Sequence, residues 1–434
     1  MSKKFREWNI EQEFLLPPSV KDFVPAGHIS HFIRDLVVEE LDLRVIMNDY
    51  TEERGYPPYD PVMMTALLLY SYTQGVYSSR RIARGCEERL DYKAVSGMSC
   101  PDFRTLAKFR KRHIEALGSL FLQVLHLCEA AKLVKLGHVA LDGTRIKANA
   151  AQSKGKTYEA IKKDEKRLEE EVKRWFEEAE MMDQREDELY GETKRGDELP
   201  DWVTNKQERI KRLKQARQEL EAKSETERKA REQAEREEQK PKSKTKKIEG
   251  PKENRRYNFT DSDSELMRSS QGFVQGYNAQ VAVDEKDQVI VACHVSNARN
   301  DLDELTPAIR QIKVNIGRLP KELSADAGYL SDENLKVLKS KKIRGYIALG
   351  ADPPERKKRI EPGSLVHQMS QRLKKGGKRS RYRLRKMVVE PVFGTIKAAR
   401  AFRQFLLRGL PSTTAEWQMV CTAHNLLKLA HASG

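Results

Sequence analysis

The chain has 434 residues, more than one ordinary domain holds, so two or three domains are expected. Its 81 Lys and Arg against 65 Asp and Glu leave a formal net charge of +16, which favours a polyanionic partner because neutralised phosphates release condensed counterions. No apolar signal segment stands near Met1, the longest apolar stretch (Val62 to Tyr70) is too short for a bilayer, and the cysteines Cys86, Cys100, Cys128, Cys293 and Cys421 show no CxxC spacing; a membrane span, a zinc site and a disulfide framework are therefore not expected.

Residues Phe23 to Leu136 read as helical, with apolar spacing of helical period through His31 to Leu41 and Pro61 to Tyr72. Pro57-Pro58 and Pro101-Asp102 punctuate this stretch, and Pro101 stands where a first helical turn accepts proline. A helix over 102–115 keeps Phe103, Leu106 and Phe109 on one side and places Arg104, Lys108, Arg110, Lys111 and Arg112 elsewhere. Following a short helix from Ser79 to Leu90, it suits either a helix-turn-helix reader of DNA or a surface helix with solvated charges.

The texture then changes. Gly137-His-Val-Ala-Leu-Asp-Gly-Thr is a short apolar run ending in a carboxylate and a glycine, the pattern of a buried strand. From Lys156 to Lys247 the chain is dense in charge. Ile161, Leu168, Val172 and Trp175 or Phe176 recur there at helical spacing, as do Ile210, Leu213 and Leu220, with Gly191, Gly196 and Pro200 between the two sets. Two antiparallel helices in a coiled-coil-like hairpin fit, and Lys240 to Arg256 read as a flexible exit linker. This tract is either a solvated spacer or a hairpin for dimerisation or end-DNA contact.

From Gly276 the strand texture returns. Tyr277 to Asp284 and Gln288 to Val295 flank the turn Glu285-Lys-Asp as a β-hairpin. Leu302 to Ile316 reads as a helix, Glu322 to Asp326 as a strand, Ser331 to Lys341 as a helix and Tyr346 to Leu349 as a strand. Between Arg356 and Lys386 stand 13 Lys and Arg against the single acid Glu361, and Met387 to His431 reads as helical. With the charged tract set aside, the order of elements is that of an RNase H-like mixed α/β sheet.

Three carboxylates occupy distinctive places in this order. Asp142 ends the first strand, Asp326 ends the fourth, and Glu390 opens the last catalytic helix. Strands one and four are expected side by side, so their C-terminal ends can converge. A carboxylate after an apolar run is costly to bury unless a cation neutralises it, and oxygen-only donors select Mg²⁺ or Mn²⁺ over zinc. Gly143 and Gly328 leave room for backbone or DNA to approach. Singly, each acid has an ordinary reading: Asp142-Gly as a turn, Asp326 as a cap, Glu390 as compensation of a helix dipole. Asp261 and Asp263 are alternatives for the first ligand, although no strand precedes them. His294 reads as a strand residue, and Asp301 and Asp303 as helix-start residues or supports for the ligands.

The motifs Leu141-Asp-Gly-Thr-Arg-Ile-Lys-Ala-Asn-Ala, Gly276-Tyr-Asn-Ala-Gln-Val-Ala-Val-Asp, Ser324-Ala-Asp-Ala-Gly-Tyr-Leu-Ser and Val389-Glu-Pro-Val-Phe-Gly-Thr-Ile-Lys occur in this order. Together they resemble bacterial insertion-sequence transposases of the DDE class, in the branch with a helical N-terminal domain, to which Tyr59 to Leu69 and Ser79-Arg-Arg-Ile-Ala are also similar. The resemblance implies Asp142, Asp326 and Glu390 as catalytic ligands of two Mg²⁺, with Mn²⁺ able to substitute. It implies double-stranded DNA as partner, both terminal inverted repeats and target, and a homodimer on that DNA. Related transposases carry a Tyr-x2-Arg-x3-Glu-x6-Lys signature. Glu390-x6-Lys397 and Tyr382-x2-Arg385 match it, whereas four residues separate Arg385 from Glu390 and Lys386 takes the expected arginine place. Tyr382, Arg385, Lys386, Lys397, Arg104, Lys108 and Arg112 are the candidate DNA contacts.

The expected division is a helical DNA-binding domain over 1–135, an RNase H-like catalytic domain over 136–155 and 257–434, and a charged helical insertion over 156–256. The expected protein is a cytoplasmic, nucleoid-associated bacterial transposase without membrane contact. Its rivals are a domesticated or inactive relic that only binds DNA, a basic coiled-coil scaffold or RNA-binding protein, and an RNase H-like nuclease without strand transfer.

Overall fold

The structure is a computed structural model that describes residues 19–51, 57–190, 201–237, 250–269, 272–349, 361, 363–375 and 381–433. The chain forms two compact units, residues 1–148 with 277–434 and residues 149–276.

In the first unit the N-terminal part is helical, as its periodicity predicts: α1 (Ile29–Glu39), α2 (Arg44–Met47), α3 (Pro61–Thr73), α4 (Ser79–Glu88), α5 (Leu90–Ser96), α6 (Phe103–Arg112) and α7 (Ile114–Ala130). Asp60 caps α3 through Val62 N at 2.6 Å and Met63 N at 3.2 Å, and Pro61 sits in the first turn where its missing N–H costs nothing. Every residue from Met64 to Thr73 is buried, so α3 is a core helix rather than an amphipathic one. At α6, Pro101 stands ahead of the helix instead of inside its first turn. The cap is Asp102, which accepts from Arg104 N at 2.7 Å and Thr105 N at 3.2 Å. The 102–115 helix ends at Arg112, because His113 leaves the helical conformation before α7 begins.

The sheet of this unit orders its strands β6-β5-β1-β7-β8, where β1 is His138–Lys147, β5 Gly272–Asp284, β6 Ile290–Ser296, β7 Glu322–Ala325 and β8 Arg344–Ile347. β5 and β6 pair antiparallel, whereas β1, β7 and β8 run parallel. Between them lie α10 (Leu305–Ile316) and α11 (Asp332–Ser340), followed by α12 (Leu365–Lys375). This is the mixed sheet expected from the sequence.

The C-terminal stretch is not continuously helical. α13 (Leu384–Val388), α14 (Glu390–Gly394) and a π-turn (Thr395–Ala399) follow one another, and then the chain leaves the helix until α15 (Leu410–Ser433). Apolar anchoring explains the break: Phe402 and Phe405 are buried, Gln404 bridges to Lys147 at the end of β1, and buried Glu416 accepts from Leu406 N and Leu407 N. α15 packs on α7, α3 and β6. Its Asn425 accepts from Ile290 N and donates to Ile290 O, both at 2.9 Å, and Trp417 Nε1 donates to Gln280 O at 3.0 Å. The helical N-terminal stretch thus shares one unit with the sheet.

In the second unit, α8 (Tyr158–Tyr190) and α9 (Asp201–Glu237) form the expected hairpin. The ion pairs Arg217–Glu165 at 3.0 Å and Lys206–Glu171 at 2.8 Å run in opposite chain senses, so the helices are antiparallel. Ile161, Leu168, Leu213, Ala216 and Leu220 join Tyr257 in its apolar core. Phe176 departs from the predicted stripe: it is 43% exposed, and the side chain of Trp175 lies outside the described residues. Three short strands were not expected: β2 (Gly155–Thr157) pairs with β3 (Arg256–Asn258), and β4 (Glu265–Ser269) with residues 272–276 at the start of β5. Of the supposed exit linker, residues 240–249 lie outside the described residues. The remainder is structured, with Arg255 paired to Glu227 at 2.6 Å. Asp261 and Asp263 lie in this unit, the latter 3.3 Å from Lys223. No described helix is long and apolar enough to cross a membrane.

Candidate active site

The parallel register of β1 and β7 pairs Ala140 with Ser324, so Asp142 and Asp326 each follow two residues later, on neighbouring strands about 4.8 Å apart. Asp142 lies within β1, which runs on to Lys147 instead of ending at the carboxylate, and Asp326 stands just past the end of β7. Convergence of the first two carboxylates follows from topology alone. Asp142 accepts from Gly143 N at 2.9 Å; Asp326 accepts from Gly328 N at 2.9 Å and caps the 3-10 turn behind it. The cap reading of Asp326 is therefore true, and the residue still faces its neighbour.

Glu390 is carried to this edge by the helical run of α13 and α14, and Arg385 from the same run joins it to Asp142. Arg385 Nη1 donates to Asp142 Oδ2 at 2.6 Å, and Nη2 lies 3.9 Å from Glu390 Oε1. The Asp142 and Arg385 side chains are only 15% and 12% exposed, whereas Glu390 is 52% exposed. Burial pushes the Asp142 carboxyl up to about 6 against the pull of Arg385, and the charges of Asp326 and Asp301 push the same way. Burial also opposes the Arg385 charge, but Asp142, Tyr382 and Asp326 outweigh it and hold its pKa above the ordinary value.

Behind Asp142 lies a polar cluster centred on Asp301. Its Oδ1 accepts from Asn278 at 2.7 Å, Gln280 at 2.8 Å and Arg145 at 3.2 Å. Tyr329 donates to Gln280 Oε1, and burial together with Asp301, Asp142 and Asp326 raises its phenol well above the ordinary value. Gly143 exists for this cluster rather than for backbone or DNA: a Cβ there would collide with the Gln280 amide nitrogen and come within 2.9 Å of Asp301 Oδ1. At Gly328 a Cβ would stand 3.0 Å from Asp326 Oδ1 and 3.4 Å from Asp301 Oδ2.

Residues 18–112 match the family model described as Transposase domain (DUF772), and residues 243–426 match that described as Transposase DDE domain. Together the two matches span most of the chain, in the order of the motifs. The chain belongs to the DDE-class transposases. The RNase H-like sheet is that of the family's catalytic domain. Comparison with curated proteins and with solved structures gives no match.

The DDE match includes Asp326 and Glu390 of the transposase and leaves out Asp142, which the register of β1 and β7 brings beside Asp326 and which Arg385 links to Glu390. Asp301, Arg145, Asn278, Gln280 and Tyr329 have no role in the sequence reading beyond Asp301 as a helix-start or supporting residue. A signal was present: Asn278 and Gln280 are amides at strand period two within an otherwise apolar strand, a pattern that requires buried polar partners. His294 and Ser296 both bind Glu304, His294 at 2.5 Å, which makes them structural.

Among the candidate DNA contacts of the transposase, Lys386 is exposed beside the site, while Arg385 is turned inward. Lys397, on the π-turn, donates to the Thr144 hydroxyl and to Arg145 O at 3.3 Å, and burial lowers its pKa. Arg104 and Lys108 are exposed on α6, and Arg104 lies over the Phe103 ring at 5.6 Å. Arg112 is tied to Asp49 at 2.7 Å and covers Tyr50 at 5.4 Å. The basic run over 351–360 and 376–380 lies outside the described residues.

The oxygen-only donor set of Asp142, Asp326 and Glu390 fits a hard divalent cation in its chemistry. Among the described residues, however, no three His, Cys, Asp or Glu side chains stand close enough together to hold one metal ion. Arg385 lies between Asp142 and Glu390.

Proposed function

We propose that this transposase binds the terminal inverted repeats of its own element, cleaves DNA there and joins the freed end to a second strand, with Asp142, Asp326 and Glu390 as the metal ligands. The observation that supports this most is the register of β1 against β7, with Arg385 bridging Asp142 to Glu390. Two Mg²⁺ ions, or Mn²⁺ in their place, would when bound neutralise charge on the attacking and leaving oxygens of an in-line phosphoryl displacement.

The protein's own part is placement. Asp142 and Asp326 are held by the sheet, Glu390 by a helix, and Asp301 is satisfied by Asn278, Gln280 and Arg145 so that it buttresses β1 from behind. Water would open the end phosphodiester to leave a 3′-hydroxyl, which would attack a phosphodiester of the opposite strand or of target DNA. The nucleophiles are water and DNA, so no bond to the protein is formed. Lys386, Tyr382, Lys397 and the α6 cations Arg104, Lys108 and Arg112 would meet phosphates, in a cytoplasmic, nucleoid-bound complex where two copies serve two ends.

The test is product analysis with labelled DNA carrying the element's ends and an unlabelled target in Mg²⁺. End-specific nicks followed by joined products are expected. Nicks at any sequence without joined products would refute strand transfer and leave a plain nuclease.

A further inference from the structure

We propose that Arg385 is the resident counter-cation of the metal-free site, and that a divalent ion enters only as the Arg385 side chain leaves the space between Asp142 and Glu390. This rests on the reading of Asp142, Asp326 and Glu390 as metal ligands.

Three observations carry it. The guanidinium reaches both flanking acids, 2.6 Å from Asp142 Oδ2 and 3.9 Å from Glu390 Oε1, so it takes the place between them that a shared ion needs. No three acidic, His or Cys side chains among the described residues are gathered for coordination, as expected of acids held around an arginine and not yet around an ion. The arginine is also incompletely held, since its buried Nε has no hydrogen-bond partner among the described residues, so leaving breaks the bonds to Asp142 and Tyr382 without dismantling a full fork.

The exchange is one of charge: a single positive charge leaves and a double one arrives among Asp142, Asp326 and Glu390. The freed guanidinium swings on the short helix α13 toward the exposed side already occupied by Lys386, where a DNA phosphate is its natural partner. A cation is thus present in the acidic site before metal arrives and becomes a phosphate contact once it does. Metal loading and end binding then share one residue.

The experiment measures Mn²⁺ binding to the full chain without DNA, from the free-ion paramagnetic resonance signal, for wild type, Arg385→Gln and Asp326→Ala. Arg385→Gln should bind Mn²⁺ about tenfold more tightly, which is about 1.4 kcal/mol at 25 °C. A folded Arg385→Gln that binds Mn²⁺ no better than wild type overturns the proposal. If Asp326→Ala binds as wild type does, the metal site itself is misplaced and the proposal falls with it; if Asp326→Ala loses binding, the metal reading stands whatever Arg385→Gln shows. A second arm needs no variant. Phenylglyoxal labelling of wild type, mapped by mass spectrometry, should rise at Arg385 when Mn²⁺ is added, and unchanged or reduced labelling there contradicts displacement even if Arg385→Gln fails to fold.

Discussion

Replacing Gly143 with alanine tests whether the polar cluster behind Asp142 is packed as the structure has it. The added methyl meets the Gln280 amide nitrogen, Asp301 Oδ1 at 2.9 Å and Asn278 Oδ1 at 3.0 Å, and the Gln280 nitrogen donates to both of these oxygens. Displacing the Gln280 amide breaks its 2.8 Å bond to the Asp301 carboxylate and its 3.0 Å bond to Asn278. A bond to a charged group contributes about 1.5–3 kcal/mol and a neutral one about 0.5–1.5, so the loss before relaxation is about 2–4 kcal/mol. The sign is diagnostic. Gly143 has no positive φ, and at an unhindered position of that kind alanine stabilises by about 0.4–1 kcal/mol through the unfolded chain. Urea unfolding followed by far-ultraviolet circular dichroism, at equal slope, should show Gly143→Ala destabilised by about 2–4 kcal/mol. A variant as stable as wild type, or more so, would refute the packing argued for the cluster.

Two further predictions concern the clasp of α15. Asn425→Ala removes both partners of the Ile290 backbone and leaves two buried groups unsatisfied, so unfolding free energy should fall by about 2–4 kcal/mol, read in the same assay. Glu416 is fully enclosed, and burial raises its carboxyl from the ordinary 4.5 to about 7 against the pull of Arg110. Its folded value lies above its unfolded one, so the folded state binds the extra proton. Its contribution is complete below pH 4.5 and is lost as pH rises through about 7. Above that range its ionisation costs about 3 kcal/mol, so Glu416→Gln should flatten the decline in stability between pH 5 and 8. An unchanged slope would show that Glu416 is not the titrating group.

Much of this arrangement is legible because a short apolar run leading into a carboxylate marks a buried strand. Asp326 stands just past the end of β7 as its run suggests, whereas β1 continues through Asp142 to Lys147, because polar residues can extend a strand that an apolar run only begins; parallel pairing of the two strands does the rest. Asp301 reads in the sequence as a helix-start residue or a support for the ligands, since an acid ahead of a helix suits either; the folding of its loop against Asn278 and Gln280 shows it as a hub. The interruption between α14 and α15 was hidden for a similar reason. Phe402, Phe405 and Leu406 keep an apolar texture, and no glycine or proline appears before Gly409 to announce the break. The choice between Arg385 and Lys386 is undecidable from spacing, because they stand next to each other, a little more than one helical turn before Glu390. Packing separates them, turning Arg385 toward Asp142 and Lys386 toward solvent. In the hairpin, period alone could not choose between the adjacent aromatics Trp175 and Phe176 for the end of the stripe; Phe176 is 43% exposed.

The proposed function requires Asp142, Asp326 and Glu390 to act as one metal-binding set. This is tested most directly by cleavage of labelled DNA bearing the element's ends, in Mg²⁺ and in Mn²⁺, by wild type and by Glu390→Ala, whose half-exposed side chain makes, among the described residues, no ion pair other than its 3.9 Å contact with Arg385. End-specific cutting by wild type in both metals is expected, with a loss on the order of a hundredfold or more in the variant, while end binding is kept. Cutting by Glu390→Ala at the wild-type rate would contradict it.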